Sequence, residues 1–595
     1  MLIAIAQTHP RKGDYGGNLQ RIGAVLGQVG RWPESPGLVV FGETAVSGYF
    51  LQGGTREAAV TAGRLYRDLT AQHQSTGAPA MDVCVGFYER YHDRVFNSAL
   101  YCSLGAGGGI RHVHRKVFLP TYGLFDEERF VDAGTEVQAF DTAWGRVAIL
   151  ICEDAWHSVS ATLAALDGAQ LLIVPSASPG RGVSPIATGH PTNTEAWERV
   201  MARLAEEHGM YLALAQLVGF EGGKALQGRS LVIGPDGGIV AEAPAFDEAL
   251  VHARIDRRAL RRARYEQPLL GDLEVALPGL LRRATEGRAK PVRFDPADGP
   301  ALPALRVAPA TLPVIGPRPP ADRLAIDPAL VERWLVGFLR QEVKERRGFQ
   351  KALVALSGGV DSAVTAALAA RALGPENVTA VRLPYRTSSA ESLDHAEAVA
   401  KQLGMHIETI DISAAVDGFY GSRDQADANR RGNVMARVRM IAMFDLSAKH
   451  RALPLGTGNK SERLLGYFTW HGDDAPPVNP LGDLYKTQVL VLARHLGLPD
   501  DVIAKPPTAD LVAGQTDEAD LGISYERADR ILDGLLSGYE PDEIAAQGFT
   551  AAEVRLVQER LDGTHWKRQL PTVAMLSSTT IGESYLRPVD YGKAP

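Results

Sequence analysis

The sequence predicts two α/β domains in one chain of 595 residues. Three observations carry that expectation. The length exceeds what a single hydrophobic core serves, so two or more domains are expected. Short apolar runs alternate with helical patterns on both sides of the middle of the chain. Between Pro278 and Pro320 that alternation lapses into a proline-punctuated stretch, which reads as an extended connector. The boundaries drawn are residues 1–275, 276–325 and 326–595.

Composition narrows the class. The chain is 45% hydrophobic and 22% charged, ordinary for a soluble enzyme, and its net charge of -7 does not suggest a general nucleic-acid affinity. Three cysteines in this length argue for a reducing compartment. Leu2–Ala6 opens directly as a strand without a signal-type leader, and no run approaches the roughly 20 apolar residues of a membrane helix. A cytoplasmic enzyme without nucleic-acid or membrane partners is the expectation.

In the first part, strands are predicted at Leu2–Ala6, Leu38–Phe41, Val83–Phe87, Ala99–Cys102, Val147–Cys152, Leu171–Val174 and Tyr211–Ala215. Residues 230–240 read as a hairpin around Gly234-Pro235-Asp236-Gly237-Gly238. Thr194–His208 has the helical pattern. In the last part, Asp327 can cap a helix with Pro328 at its first position and Leu330, Trp334 and Phe338 at i+4 spacing. Strand Leu353–Leu356, helix Ala363–Leu373, strand Val378–Leu383, helix Ser392–Leu403 and strand His406–Ile410 follow. Such alternation implies a doubly wound parallel sheet with its ligand at the carboxyl ends of the strands.

Ser357-Gly358-Gly359-Val360-Asp361-Ser362 joins the first of those strands to a helix N-terminus, where backbone N–H groups favour an anion. Two glycines let the main chain approach a phosphate, and the two serine hydroxyls add donors. Asp361 repels phosphate, so its natural task beside a pyrophosphate is to hold a divalent metal. The loop lacks a Gly-Lys-Ser/Thr ending. It resembles the pyrophosphate loop of enzymes that transfer AMP from ATP to activate a carbonyl, a loop shared by several ligases.

In the first part, Cys152 ends the strongest strand, in I-C-E-D-A-W. A cysteine at a strand-to-turn junction can present a thiolate to a pocket, yet a lone cysteine reads more readily as a small buried hydrophobe. Glu43, in F-G-E-T-A-V-S-G-Y, and Lys116, in H-R-K-V-F-L-P-T-Y-G-L-F, change that balance. A carboxylate can take the thiol proton and return it to a leaving amine, and a lysine can stabilise an oxyanion. Together these contexts resemble the Glu-Lys-Cys triad of the nitrilase, or carbon–nitrogen hydrolase, superfamily. The resemblance implies an α-β-β-α sandwich, with Glu43 as general base, Lys116 as oxyanion stabiliser and Cys152 as nucleophile. It also implies amide hydrolysis through a thioester, releasing ammonia. C-E-D-A-W and L-P-T-Y-G-L-F-D-E are similar to the glutaminase branch. That implies Tyr122 and Phe125 as pocket walls, for which core packing is an equal reading. Glu153 and Ser178 would meet the α-amino and α-carboxylate groups of glutamine, with Arg181 a second candidate for the carboxylate.

Further motifs tell the pyrophosphate loops apart. Gly456-Thr457-Gly458-Asn459-Lys460-Ser461-Glu462 is followed by Gly472-Asp473-Asp474, N-P-L-G-D-L-Y-K-T-Q, K-P-P-T-A-D-L and Q-T-D-E-A-D-L-G. This set, in this order, resembles the NAD synthetases, and with the nitrilase-type part in front the whole chain is similar to the glutamine-dependent ones. The resemblance implies ATP and glutamine as co-substrates, Mg2+ as cofactor and deamido-NAD as acceptor, and a homodimer or higher homo-oligomer. It puts ATP on Ser357, Gly358, Gly359, Val360, Asp361, Ser362, Thr457, Lys486 and Thr508, and Mg2+ on Asp361 and Glu462. It puts deamido-NAD on Asn433, Arg437, Glu462 and Lys567. Arg382 and Arg386 could meet adenosine or phosphate, or stand as solvated surface arginines. Smaller relatives carry a lysine before the Gly-Asp pair, an aspartate after it and a histidine before the C-terminal lysine. Here Trp470-His471 precedes Gly472-Asp473, Pro477 falls where the aspartate would be, and Trp566 stands for the histidine. Stacking of Trp470 on the pyridine ring is one expectation.

Overall fold

The computed structural model describes residues 1–185, 189–285, 322–421, 427–508, 516–569, 573–574, 576, 586–588 and 590–591. The first part carries two six-stranded sheets. One contains β1 (Leu2–Gln7), β2 (Leu38–Phe41), β3 (Met81–Tyr91), β4 (Arg94–Leu104) and β5 (Gly109–Arg115). The other contains β6 (Ala139–Thr142), β7 (Gly145–Ile149), β8 (Leu171–Ser176) and β9 (Tyr211–Gln216). A separate hairpin, β10 (Val218–Glu221) and β11 (Lys224–Gln227), precedes β12 (Leu231–Ile233), β13 (Ile239–Glu242) and β14 (Ala249–Arg254). The sheet orders are β14-β1-β2-β3-β4-β5 and β13-β12-β9-β8-β7-β6.

Side-chain alternation sets the layers. Ile3, Ile5, Leu38 and Val40 join Val147, Ile149, Leu171 and Ile173 of the facing sheet in one buried cluster. Ala4, Ala6, Val39 and Phe41 point the other way, onto Leu19, Ile22 and Leu26 of helix Tyr15–Gly30 and Leu65 and Leu69 of helix Ala62–Thr76. Helices Ser158–Leu166 and Thr192–His208 cover the second sheet through Ala161, Trp197 and Met201. The result is helix on sheet on sheet on helix.

Two expectations shift. β7 ends at Ile149 and Cys152 opens a 3-10 turn (Cys152–Trp156), because its φ of 47° cannot continue a strand. Helix Leu269–Thr285 runs through Pro278, where the proline pattern predicts an extended connector; good helix formers on both sides outweigh one missing N–H. Residues 286–321 of that connector lie outside the described residues.

In the last part Asp327 caps helix Pro328–Arg340, accepting from the N–H groups of Ala329 at 3.0 Å and Leu330 at 3.1 Å. A π-helical turn, Gln341–Arg346, leads to a four-stranded sheet of β15 (Lys351–Ala355), β16 (Val378–Arg382), β17 (His406–Thr409) and β18 (Ala452–Leu455). All pairings are parallel, in the order β17-β16-β15-β18. Ala352 and Val354 pack with helix Val360–Leu373, and Leu353 packs with Met435, Met443 and Leu446 of helix Ala428–His450, so both faces are covered. The chain leaves β15 toward β16 but returns to its other side only at β18, and a crevice opens between the loops after β15 and β18. Among the described residues no helix is long and apolar enough to cross a membrane.

Candidate active sites

β2, β5, β7 and β8 each deliver a polar side chain to one buried point. Glu43 Oε1 accepts from Lys116 Nζ at 2.9 Å and from Asn97 Nδ2 at 2.7 Å, and its Oε2 accepts from the Ala177 N–H at 2.9 Å. Cys152 Sγ accepts from Ser176 Oγ at 3.3 Å. The three residues expected to act together thus do converge. A second carboxylate, Glu127, lies 2.8 Å from Lys116 Nζ and accepts from Asn97 Nδ2 at 2.9 Å. Sequence reading passed over Glu127 although it ends the L-P-T-Y-G-L-F-D-E motif, since a glutamate in a loop reads first as a solvated charge.

The Cys152 turn sits in the left-handed region that non-glycine residues seldom occupy. Asp154, wholly buried, holds it there. Its Oδ2 accepts from the Ile151 N–H at 3.1 Å and lies 2.9 Å from His114 Nε2, while its Oδ1 accepts from the Val117 and Phe118 N–H groups at 2.9 Å each. One carboxylate therefore ties the Cys152 turn to the residues that follow Lys116. Burial pushes the Cys152 thiol and the Glu43 carboxyl up from their ordinary values, Lys116 opposing both. Burial alone would lower Lys116, but Glu127 and Glu43 hold it far above the usual lysine range.

Tyr122 donates its hydroxyl to Glu153, at 2.9 Å to Oε2, and its ring packs edge-on to Phe125 at 5.9 Å. The Arg181 guanidinium lies 5.5 Å from the centre of the Phe125 ring. Ser178 Oγ accepts from Trp197 Nε1 at 2.8 Å. Phe125 and Glu127 also line a cavity of about 210 Å3 with Tyr49 and Phe50.

The second site is the crevice after β15 and β18, a cavity of about 620 Å3. Ser357, Gly359, Val360, Asp361, Ser362, Thr457, Glu462, Lys486 and Thr508 all line it, with Asn433 and Lys567 at its edge. Gly358 has φ +79°, and a β-carbon there would overlap the Ser392 carbonyl oxygen, so only glycine fits this turn. Ser362 Oγ donates to the Gly359 carbonyl at 2.9 Å. Lys486 Nζ pairs with Asp361 Oδ2 and lies 3.8 Å from Glu462 Oε1. Asn459 joins the two loops, donating to Asp361 Oδ1 at 3.0 Å and sharing a capping box with Glu462. Burial, then the neighbouring Asp361, pushes the Glu462 carboxyl up to about 8. Asp517, buried and also raised by burial, completes an acidic wall that sequence reading left unassigned.

Not everything expected here gathers in this cavity. Arg437 lines an adjoining cavity of about 530 Å3 with Asn433, Trp470, Trp566 and Lys567. Trp470 and Trp566, the two aromatic departures, meet edge to face at 5.4 Å, and the Trp470 carbonyl accepts from Arg437 at 3.0 Å. Arg382 donates to Thr409 at 3.0 Å and Arg386 pairs with Asp417, so both bind protein groups. Residues 509–511 of K-P-P-T-A-D-L lie outside the described residues.

Known proteins resemble both parts of the chain. The carbon–nitrogen hydrolase family matches residues 2–265, and the NAD synthase family matches residues 331–571. An NH(3)-dependent NAD(+) synthetase of Chlorobaculum tepidum is 50% identical over 262 residues, covering 44% of this chain and 94% of that protein. The structure of a glutamine-dependent NAD+ synthetase from Acinetobacter baumannii, in complex with ADP, is 25% identical with a TM-score of 0.69, covering 99% of this chain and 98% of that one. A glutamine-dependent NAD(+) synthetase from Cytophaga hutchinsonii, 16% identical with a TM-score of 0.69 over 96% of this chain and 93% of that one, shares the fold. With the pyrophosphate-loop crevice intact and a carbon–nitrogen hydrolase domain ahead of it, the chain belongs to the NAD synthase family.

Proposed function

We propose that the protein is a cytoplasmic glutamine-dependent NAD(+) synthetase, which hydrolyses glutamine to glutamate and ammonia and uses the ammonia to amidate deamido-NAD at the expense of ATP. The observation that carries this reading is the coexistence in one chain of a buried Glu43–Lys116–Cys152 cluster and a crevice lined by the Ser357–Ser362 loop. Either site alone would fit a hydrolase or an ammonia-using ligase.

At the first site Cys152 Sγ attacks the side-chain amide carbon while Glu43 takes the thiol proton. Lys116 faces the oxygen on which negative charge develops. Glu43 then returns the proton to the nitrogen, so ammonia leaves unprotonated and a thioester remains. Glu43 next takes a proton from the water that hydrolyses the thioester and returns it to the departing Cys152 sulfur, which restores the thiol. The raised carboxyl of Glu43 supports this shuttle, because a proton once taken is retained until the amine needs it. Tyr122 and Phe125 would wall the glutamine pocket, with Glu153 and Ser178 at the α-amino and α-carboxylate groups.

At the second site the nicotinate carboxylate of deamido-NAD attacks the α-phosphate of ATP and pyrophosphate leaves. Ammonia then adds to the acyl-adenylate and AMP departs. Backbone N–H groups of residues 357–362 would cradle the pyrophosphate, with Lys486, Thr457 and Thr508 on ATP and Asn433, Arg437 and Lys567 on deamido-NAD. Asp361 and Glu462 would hold Mg2+, which supplies positive charge against the phosphates. The residues fit that ion: two carboxylates converge from separate loops, Glu462 is raised by burial and then by the neighbouring Asp361, and no larger ligand cluster exists among the described residues. That set suits a cation sharing its shell with phosphate oxygens and water. Exposed Ile441 and Phe444 on helix Ala428–His450 support assembly as a homodimer or higher homo-oligomer.

The test is NAD formation from deamido-NAD and Mg-ATP with glutamine, then with ammonium, in wild type and Cys152→Ala. Cys152→Ala is expected to lose glutamine use and keep ammonium use. AMP release without NAD, or loss of both nitrogen sources, refutes the reading.

A further inference from the structure

The two halves of the chain meet at a buried ion cluster that neither reaction employs directly. Asp590 Oδ1 accepts from Lys12 Nζ at 2.8 Å. Asp590 Oδ2 accepts from the Gly222 N–H at 2.9 Å and lies 2.7 Å from a guanidinium nitrogen of Arg346. The side chains of Lys12 and Asp590 are each 3% exposed. Lys12 follows β1, Gly222 is in the β10–β11 turn, and Arg346 ends the π-helical turn that precedes β15 and the Ser357 loop. Without Asp590 two buried cations would face each other with less to balance them.

From this cluster the contacts lead toward the thiol site. Glu221, beside Gly222 and 3.8 Å from Lys12 Nζ, accepts from the N–H groups of Tyr49 at 3.1 Å and Phe50 at 2.8 Å. Those two rings wall the cavity that Phe125 and Glu127 share, and Lys116 Nζ lies 5.7 Å from the centre of the Tyr49 ring. Leu586 and Pro588, from the same segment as Asp590, line that cavity too. Tyr591 donates to Glu57 at 2.9 Å and packs on Gly54, where a β-carbon would collide with its ring.

We propose that Asp590 is a positioning residue for amide hydrolysis: by holding Lys12, the Gly222 N–H and Arg346 together it fixes Glu221, and through Glu221 the Tyr49–Phe50 wall beside Lys116. The inference rests on the glutaminase reading of the Cys152 site. It makes the use of glutamine, but not of ammonium, depend on a side chain more than 400 residues away in sequence from Cys152. Docking of the halves does not hang on Asp590 alone, because Gln341 Oε1 accepts from the Phe220 N–H at 2.8 Å and Gln341 Nε2 donates to the Phe220 carbonyl at 3.0 Å.

The experiment is steady-state NAD formation by the full chain, with glutamine and with ammonium, for wild type, Asp590→Ala and Asp590→Glu. Asp590→Ala is expected to raise KM for glutamine and lower kcat/KM by about ten- to a hundredfold, while the ammonium-supported value stays within about twofold. Asp590→Glu, which keeps the charge, is expected to lie closer to wild type than Asp590→Ala. The inference is overturned by a glutamine kcat/KM within about twofold of wild type in Asp590→Ala, by a parallel fall with ammonium, or by the reverse order of the two variants. A wild type inert toward glutamine overturns the glutaminase reading itself, which the variants do not test.

Discussion

Asp154 carries an unusual share of the first site's geometry, and its removal has a calculable cost. Four donors converge on it: the N–H groups of Ile151, Val117 and Phe118, and His114 Nε2. A buried donor left without a partner costs about 1–3 kcal/mol, so Asp154→Ala is expected to cost at least about 4 kcal/mol. Against a domain stability of about 5–15 kcal/mol, that brings the glutaminase half close to unfolding. Asp154→Asn is milder. Its oxygen can keep the Val117 and Phe118 N–H groups, and its NH2 can donate to His114 in the other tautomer. Only the Ile151 N–H then faces a donor, a loss of about 1–3 kcal/mol. Ile151 precedes Cys152, whose φ of 47° needs that support, so the sulfur shifts and glutamine kcat/KM falls by about ten- to a hundredfold. Urea unfolding followed by tryptophan fluorescence suits the measurement, since Trp156 and Trp197 meet at 5.0 Å two residues beyond Asp154. Equal stability of the two variants, or unchanged glutamine turnover in Asp154→Asn, would refute the reasoning.

Two further outcomes concern the crevice. Gly358→Ala puts a β-carbon against the Ser392 carbonyl in a left-handed turn, a strain of about 1–3 kcal/mol before any clash, so AMP formation should fall by at least about tenfold while glutamine hydrolysis persists; equal AMP formation would remove the close-approach argument. The Glu462 carboxyl, raised to about 8, retains a proton between its unfolded value near 4.5 and about 8, so its contribution to folding stability is present below that window and is lost as pH rises through it. Mg-ATP binding at pH 7 should then release a proton, seen as a binding enthalpy that changes with the ionisation heat of the buffer, and Glu462→Gln should abolish that dependence; a buffer-independent enthalpy in wild type would count against Glu462 as a cation ligand.

The parts legible in sequence are those where one local pattern suffices. The apolar runs of β1, β2, β8 and β15, the Asp327-Pro328 cap and the glycine turn at Ser357–Ser362 each declare themselves within ten residues. β5, the strand-like run before Lys116, shows less plainly, because its Arg and His side chains, the buried His114 among them, leave an edge strand without an apolar run. Glu43, Lys116 and Cys152 were found by context. Glu127, Asn97 and Ser176 were not, since their roles arise only when β4, β8 and the loop after Lys116 meet. Asp590 is the extreme case: nothing around it in sequence distinguishes it, and its partners lie in three distant elements.

The two sites solve one electrostatic problem in two ways. Each buries a lysine between two carboxylates: Lys116 between Glu43 and Glu127, and Lys486 between Asp361 and Glu462. With every group ionised, each trio carries one uncompensated negative charge in a place where an unpaired charge is costly. At the first site burial raises the Glu43 carboxyl, which favours holding the thiol proton once Glu43 has taken it. A proton held there is what an amine needs on leaving, so the charge balance and the chemistry call for the same group. At the second site Asp517 deepens the deficit, and Lys486 is the cation set against both Asp361 and Glu462. A proton on Glu462 can compensate in part; Mg2+ held by Asp361 and Glu462 would supply more positive charge in its place. On the proposed reading, a buried trio of this kind would serve proton transfer where it is short by one charge and cation binding where the shortfall is larger.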